Sequence, residues 1–278
     1  TTLKIGGSAE VFIEPTDTAS LIKIIKFSAA EQITLSIIGR GSNLLVKDEG
    51  VKGIVIRLNS PEFTYIKKEK ESLRCGAGAK LADLLKVAEH NELSGLEFAV
   101  GIPASVGGAI KTNLGTVHPV KKEIKELIDY VKTIDLQGKE SYSLGRELDF
   151  SYRCSNLFEC VILEAKFNLQ KADKGIIKQK KSNFVDYRRK TQGTVSCSAG
   201  CIFKNPQGEK AAAYLIEQCG LKGKSIGGAE VSCQHSNFII NRGQKAKASD
   251  ILALIKIIEK NVKKRYNVKL ELEVEIWE

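Results

Sequence analysis

ITLSIIGRGSNLLV, residues 33–46, is where a reading of this fold begins. The apolar run Ile33 to Ile38 has the composition of a buried strand. It runs directly into Gly39-Arg40-Gly41-Ser42-Asn43 and then into the apolar Leu44, Leu45 and Val46. A dinucleotide fingerprint would need a third glycine and a helix opening behind it. Neither follows here, so a doubly wound nucleotide fold is not indicated. Glycine lets backbone N–H groups converge on phosphate because no Cβ blocks the approach. By itself, the loop also reads as a plain turn between strands.

Upstream, IGGSAEVFIEP (5–15) is a glycine turn followed by a short strand. Asp17 or Thr18 can cap a helix over LIKIIKFSAAEQ, with Leu21, Ile22, Ile25 and Phe27 as its apolar stripe. Downstream, Gly53 to Leu58 is another strand. The opening is thus β-α-β-loop-β. FTYIKKEKESLRCGAG (63–78) reads as a hairpin ending in Gly76 and Gly78. Leu81 to Asn91 is an amphipathic helix with Leu81, Leu84, Leu85 and Ala88 on one face. A second glycine-rich run, GIPASVGGAI (101–110), follows, and then Asn113 and Gly115. Tyr130 to Ser143 is a hairpin turning at Gln137-Gly138, and Val161 to Leu169 is a strand. Two glycine loops plus Gly76 and Gly78 in one region point to a diphosphate cofactor.

At about Lys171 the composition turns lysine-rich and helical, ending in Asp186-Tyr187-Arg188-Arg189-Lys190. A domain boundary is expected there. Beyond it come a helix from Glu209 to Cys219 stopped by Gly220, and a glycine turn at 227–228. A helix over 250–265 follows, with Ser249 as N-cap and Ile251, Leu254, Ile255, Ile258 and Val262 facing in. The last strand alternates Val268, Leu270, Leu272, Val274 and Ile276 against Glu271, Glu273 and Glu275.

Composition bounds the function. The 278 residues are 42% hydrophobic and 27% charged, an ordinary globular balance. Lys+Arg number 43 and Asp+Glu 33, a net charge of +10 that favours anionic partners. The lysines are scattered, as in KKEK (67–70) and KQKK (178–181), with no arginine-rich tail and no basic-aromatic platform. That pattern is a solvated basic surface rather than a nucleic-acid face. No run of 18 apolar residues spans a membrane. The first residues, TTLKIGGSAE, lack an apolar signal core. Seven cysteines (75, 154, 160, 197, 201, 219 and 233) then read as reduced thiols in a cytoplasm. Cys197 and Cys201 have no second pair nearby, so no metal site is expected.

Three places could carry chemistry. In SCSAGCIFKNP (196–206), Cys201 can present a proton, and Lys204 and Asn205 can bind an anionic or polar substrate. The same segment also fits a turn with a buried cysteine. In FSYRCS (150–155), Arg153 can hold a carboxylate through a bidentate fork, or can simply stack on Tyr152. Any of the three C-terminal glutamates can be catalytic, or all can be the wet face of a strand. Periodicity does not choose among them.

Seven segments in order carry a resemblance: TTLKIGGSAEVF, GRGSNLLVKDEG, LSGLEFAVGIPASVGGAI, FSYRCS, SAGCIFKNP, LIEQCGLKGKSIGGAEVSCQHSNFIIN and VKLELEVEI. Over nearly its whole length the chain resembles the UDP-N-acetylenolpyruvoylglucosamine reductase family, flavoenzymes of peptidoglycan precursor synthesis. The resemblance implies an α+β fold: a vanillyl-alcohol-oxidase-type (PCMH-type) FAD-binding region of two lobes, 1–60 and 61–171, and a C-terminal α+β substrate domain, 172–278. It implies that NADPH reduces bound FAD, and that hydride then reaches the enol-ether carbon of UDP-N-acetylglucosamine enolpyruvate. Arg153, Cys201 and Glu273 match the catalytic positions. Tyr152, Lys204 and Asn205 match substrate contacts. FAD would be held by Arg40, Gly41, Ser42, Asn43 and Leu44, and by Gly101, Ile102, Pro103, Ser105, Gly107, Gly108, Ile110, Asn113 and Gly115. Many members have serine at the position of Cys201. Cysteine, with a reference pKa of about 8.5, is also a competent acid near neutral pH. Ala104 stands where a glycine is common, and Lys111-Thr112 where an aromatic-Met pair is usual. The tyrosine loop of the longer form is not evident, so the chain resembles the shorter, type II form. The competing readings are another FAD oxidoreductase of the same fold, against which the segments at 196–206 and 268–276 argue, and a basic nucleic-acid-binding protein.

Overall fold

The structure is a computed structural model that describes residues 1–193, 197–208 and 210–278. Ser196 and Glu209, the expected starts of the cysteine-bearing loop and of the helix behind it, lie outside the described residues. By its contacts the chain forms two compact units, each discontinuous. The larger is Val11–Arg40 with Gly53–Tyr187, and the smaller is Thr1–Glu10 with Gly41–Lys52 and Arg188–Glu278. The boundaries differ from those expected. The lysine-rich composition near Lys171 belongs to a 19-residue helix whose first part still packs with the larger unit, so it marks an exposed face rather than a change of neighbours.

In the larger unit, α1 (Thr18–Ala30) starts where expected. The Asp17 carboxylate accepts the Ser20 N–H at 2.7 Å, and Ser20 Oγ accepts the Asp17 N–H at 3.2 Å. Leu21, Ile25 and Ser28 face the core. Phe27, expected inward, is 56% exposed, because two residues past Ile25 is the opposite side of a helix. α2 (Pro61–Thr64) is short and buries Phe63. α3 (Leu81–His90) buries the four residues its pattern indicated.

These elements accompany an antiparallel sheet in the order Glu140–Leu144, Ile128–Asp135, Cys160–Asn168, Ser72–Gly76, Ile66–Glu69. Both expected hairpins are in it. Leu73, Cys75, Val131, Ala165 and Phe167 point into one apolar core with α1 and α3. Glu164, from the same sheet, accepts from the Tyr65 and Tyr130 hydroxyls and from Arg74. Burial first, and then the Glu164 carboxylate, push both phenols above their ordinary range. The glycine-rich run is not all loop: Val106–Lys111 is a helix, α4, with Ser105 Oγ accepting the Gly108 N–H at its start.

The long helix α5 is Lys174–Gln192. The smaller unit then has an antiparallel sheet in the order Ser198–Cys201, Phe238–Asn241, Ala229–Val231, Ser225–Ile226. α6 (Ala212–Gln218) and α7 (Ala248–Tyr266) belong to the same unit. Its core joins Ile202, Phe203, Leu215, Ile251, Leu254 and Ile258 to two residues from far upstream, Leu3 and Leu45. Leu45 lies in the strand Leu44–Val46, which pairs in parallel with Glu275–Trp277. The expected strand over 268–276 is therefore shorter. Leu272 bridges to Phe203, and only from Glu275 does the chain pair with Leu44–Val46. The change of partner interrupts the ladder, although Leu270 and Val274 still face in.

α7 is also capped otherwise than expected. It starts at Ala248, so Ser249 lies inside it. The cap is Asp48, whose carboxylate accepts the N–H groups of Ala248 at 2.7 Å and Ser249 at 3.0 Å. Burial pushes this carboxyl up, but the amides of Ser249 and Ala248 outweigh it and hold it below the ordinary range. Asp48→Ala is expected to lower stability by about 0.5–2 kcal/mol at neutral pH. A depressed folded pKa gives stability that is present above the unfolded value, near 3.9, and lost as pH falls through the folded one. The difference between parent and variant in urea denaturation should therefore shrink below about pH 4. A gap that persists at pH 2 would place the effect elsewhere.

Candidate active site

In the smaller unit, Cys201 ends the strand Ser198–Cys201. Ser198 pairs opposite Ile240 and Cys201 opposite Phe238, so two residues on one strand, Ala199 and Gly200, stand against one on the other, Ile239. The extra residue is a bulge at Ala199-Gly200, where Gly200 has φ +78. In a regular strand Ser198 and Cys201 would point to opposite faces, and the bulge returns them to one. Cys197 has φ +53, and its carbonyl accepts the Asn241 N–H at 3.0 Å, so its backbone anchors the strand just ahead.

Beyond Cys201 the chain is held on two sides. On one, the Ile202 carbonyl accepts the Glu273 N–H at 2.8 Å, and the Lys204 N–H donates to the Glu271 carbonyl at 2.8 Å. On the other, Asn237 takes up the peptide groups of Ile202 and Phe203. Asn205 Oδ1 accepts the Ala212 N–H at 3.0 Å, at the start of α6. The fold separates the three C-terminal glutamates that alternation could not. Glu271 is exposed and faces Lys204 Nζ at 3.6 Å. Glu275 is exposed and accepts from Trp277 Nε1 at 2.9 Å. Glu273 is half-buried, and its carbonyl accepts from Asn43 Nδ2 at 2.8 Å. The Asn43 carbonyl takes the Glu275 N–H at 3.0 Å. Asn43, expected at the cofactor, is seen here to fix the backbone around Glu273. Leu44 is buried beside it.

In the larger unit, Tyr152 and Arg153 form the turn between Phe150–Ser151 and Cys154–Ser155. Arg153 has φ +58. Its guanidinium stands 5.7 Å from the Tyr152 ring centroid, and its Nη1 donates to the Gly115 carbonyl at 2.9 Å. Of the two readings of this arginine, the stacking on Tyr152 is what the fold shows, with one guanidinium nitrogen held by the Gly115 carbonyl. Segment 111–115 supports the turn. Asn113 Nδ2 donates to the Ser151 carbonyl at 3.0 Å, and Ser155 Oγ donates to the Lys111 carbonyl at 2.9 Å. Lys111 in turn donates to the carbonyls of Leu157 and Phe158, a structural use for the residue that replaces an aromatic.

The start of the first glycine-rich run, Gly39, meets the second run in this unit. A Cβ on Gly39 would lie 2.4 Å from Ser105 Oγ. Gly107 is a correction to the simple cradle. Its N–H already donates to the Ala77 carbonyl at 2.8 Å, and a Cβ would lie 3.0 Å from Ala77 Cβ. Its smallness lets α4 close on Ala77 and frees no donor for phosphate. Ile110 is fully buried in the core. Gly101, Pro103 and Arg40 are exposed, and Gly41, Ser42, Ile102, Gly108 and Gly115 are not. Asn113 is 1% exposed, and its Oδ1 has no hydrogen-bond partner among the described residues, which fits a bound group with a donor at that point. Sequence reasoning missed Asp48, Asn237 and the bond from Asn43 to the Glu273 carbonyl, all long-range hydrogen-bonding roles without periodicity.

Comparison with known proteins bears on both units. The profile of the UDP-N-acetylenolpyruvoylglucosamine reductase C-terminal domain matches residues 192–277, and that of an FAD binding domain matches residues 9–141. A UDP-N-acetylenolpyruvoylglucosamine reductase of Halalkalibacterium halodurans is 40% identical over 278 residues, covering 99% of this chain and 90% of that protein. The Bacillus subtilis enzyme of the same name is 39% identical over 279 residues, with 99% and 90% covered. The crystal structure of UDP-N-acetylenolpyruvylglucosamine reductase from Thermus caldophilus aligns with a TM-score of 0.85 at 36% identity, covering 100% of this chain and 96% of that one. The expected FAD-binding fold with its C-terminal α+β domain is borne out, and the chain belongs to the UDP-N-acetylenolpyruvoylglucosamine reductase family.

Proposed function

We infer that this chain reduces UDP-N-acetylglucosamine enolpyruvate to UDP-N-acetylmuramate with NADPH, through bound FAD, in peptidoglycan precursor synthesis. One arrangement carries the reading: the residue after the Cys201 thiol receives the peptide N–H of half-buried Glu273. A proton donor and a carboxyl group on bonded neighbouring backbones suit a reduction that must place a proton beside a developing anion. When bound, FAD supplies the hydride chemistry, taking hydride from NADPH and passing it to C3 of the enol ether.

The chain's own residues do the rest. Charge develops at C2 and on its carboxylate. Arg153 steadies it through a guanidinium already fixed by Gly115 and Tyr152, which saves reorganisation at the moment of reaction. Glu273 adds a hydrogen bond, protonated or bridging. Cys201 delivers its proton to C2. Lys204, Asn205 and Tyr152 bind the substrate. The residues assigned to FAD are Arg40 to Leu44, Gly101 to Pro103, Ser105, Gly107, Gly108, Ile110, Asn113 and Gly115, with Gly107 and Ile110 shaping the site from within the fold. The basic balance of the chain suits two anionic substrates. No described helix is long and apolar enough to cross a membrane. Among the described residues the seven cysteines form no disulfide, which suits a cytoplasmic location.

Purified protein is expected to be yellow, to bleach with NADPH in the absence of oxygen, and to recover its colour when UDP-N-acetylglucosamine enolpyruvate is added. A colourless protein that shifts DNA or RNA in a gel would overturn the reading. Asn113→Ala should carry less FAD per chain than the parent, measured by absorbance of protein with an unchanged far-UV spectrum. Full flavin content in that variant would remove Asn113 from the cofactor site.

A further inference from the structure

We propose that Asn237 is a positioning residue for the substrate half of this reaction, a role that rests on the function inferred above. Asn237 is 2% exposed and directly precedes the strand Phe238–Asn241. Its Oδ1 accepts the Phe203 N–H at 3.0 Å, and its Nδ2 donates to the Phe203 carbonyl at 2.8 Å. Its own carbonyl accepts the Ile202 N–H at 2.9 Å. The side-chain amide thus stands in for a peptide of a neighbouring strand.

The bulge makes such a substitute necessary. Pairing with Phe238–Asn241 ends at Cys201, opposite Phe238. Phe203 is 1% exposed, so both its peptide groups would otherwise be buried with that partner strand out of reach. The opposite edge of the same short segment binds 271–273, through Ile202 to Glu273 and Lys204 to Glu271. Asn237 therefore backs a stretch that begins at the proton-donating thiol, ends at Lys204 and carries Glu273 on its far side. If it gives way, thiol and carboxyl group lose their common support. A displacement of about 1 Å can cost on the order of 100-fold in rate when it falls on reacting groups.

Asn241 is the matched control. It is 4% exposed, accepts the Ala246 N–H at 2.8 Å and donates to the Leu3 carbonyl at 2.9 Å. It is a clamp of the same kind at the other end of that strand, directed at other segments. In stopped flow, Asn237→Ala holoenzyme should be reduced by NADPH within about twofold of the parental rate. Its reoxidation by UDP-N-acetylglucosamine enolpyruvate should slow by roughly 10- to 100-fold. Asn241→Ala should lose comparable thermal stability while both steps stay within about twofold. Asn237→Asp, whose protonated carboxyl can again donate to the Phe203 carbonyl, should recover reoxidation rate as pH falls, and it carries the test if the alanine variant does not fold. The proposal is overturned if the Asn237 variants reoxidise at the parental rate, if both steps slow together, or if Asn241→Ala slows reoxidation equally. A parental enzyme that this substrate fails to reoxidise would instead overturn the functional reading.

Discussion

Cys201→Ala is expected to take hydride from NADPH at the parental rate and then to stall. Reduction of the flavin needs no proton from this thiol. In the proposed reaction its reoxidation does, because there C2 of the substrate is protonated by Cys201 as charge builds. Loss of a positioned general acid costs about 10²–10⁴-fold, and that is the slowing expected in the second step. Cys201→Ser should keep much of the activity, since a hydroxyl can donate from the same strand position. Cys197 is the natural confounder, four residues earlier in a cysteine-rich loop. Its described role is a backbone one, a carbonyl bonded to the Asn241 N–H. Cys197→Ala keeps that carbonyl, so both steps should be near parental. Stopped-flow traces of the two steps separate these cases. The assignment is lost if Cys201→Ala reoxidises at the parental rate, or if Cys197→Ala is the variant that stalls.

Arg153→Ala should slow the same step by about 10²–10³-fold, the usual cost of removing one preorganised partner of a developing anion. The informative variant is Arg153→Lys. Lysine keeps the charge but loses the planar fork, so one side chain can no longer bond the Gly115 carbonyl and grip a carboxylate together. It should recover little of the loss. The positive φ at this turn is the same burden for alanine and lysine, so backbone strain does not separate the two. Tyr152→Phe retains the ring against which the guanidinium stands and should cost far less. Near-parental kcat/KM in Arg153→Lys would show that charge alone suffices and would sink the fork argument.

Local patterns were legible in the sequence. A cap at Asp17 or Thr18 reads from the sequence, and the fold uses Asp17; the faces of α3 and α7 read from their spacing, because each depends on neighbours within a turn or two. The misreadings have a common cause. Asp48 caps a helix 200 residues away, and no motif around Ser249 announces that. Gly107 looks like a phosphate glycine, but its smallness serves Ala77. Glu271, Glu273 and Glu275 share one face in the alternation, and only the fold makes Glu273 the half-buried one. The catalytic reading of Arg153, Cys201 and Glu273 came from the family's motifs. Residue type and periodicity left each with an equally good structural explanation.

The parallel pairing of Leu44–Val46 with Glu275–Trp277 bears on how the chain is made. The larger unit is fully synthesised once Tyr187 has been added. The smaller one waits for almost the last residue, with Leu3 and Leu45 held uncovered until then. Closing a pairing across some 230 residues is slow, and exposed apolar strand is prone to aggregate meanwhile. A fragment cut at the lysine-rich helix and expressed from residue 172 onward would lack Leu3, Leu45 and Asp48. It would be missing a piece of its core and the cap of α7, so the smaller unit cannot be separated by a single cut.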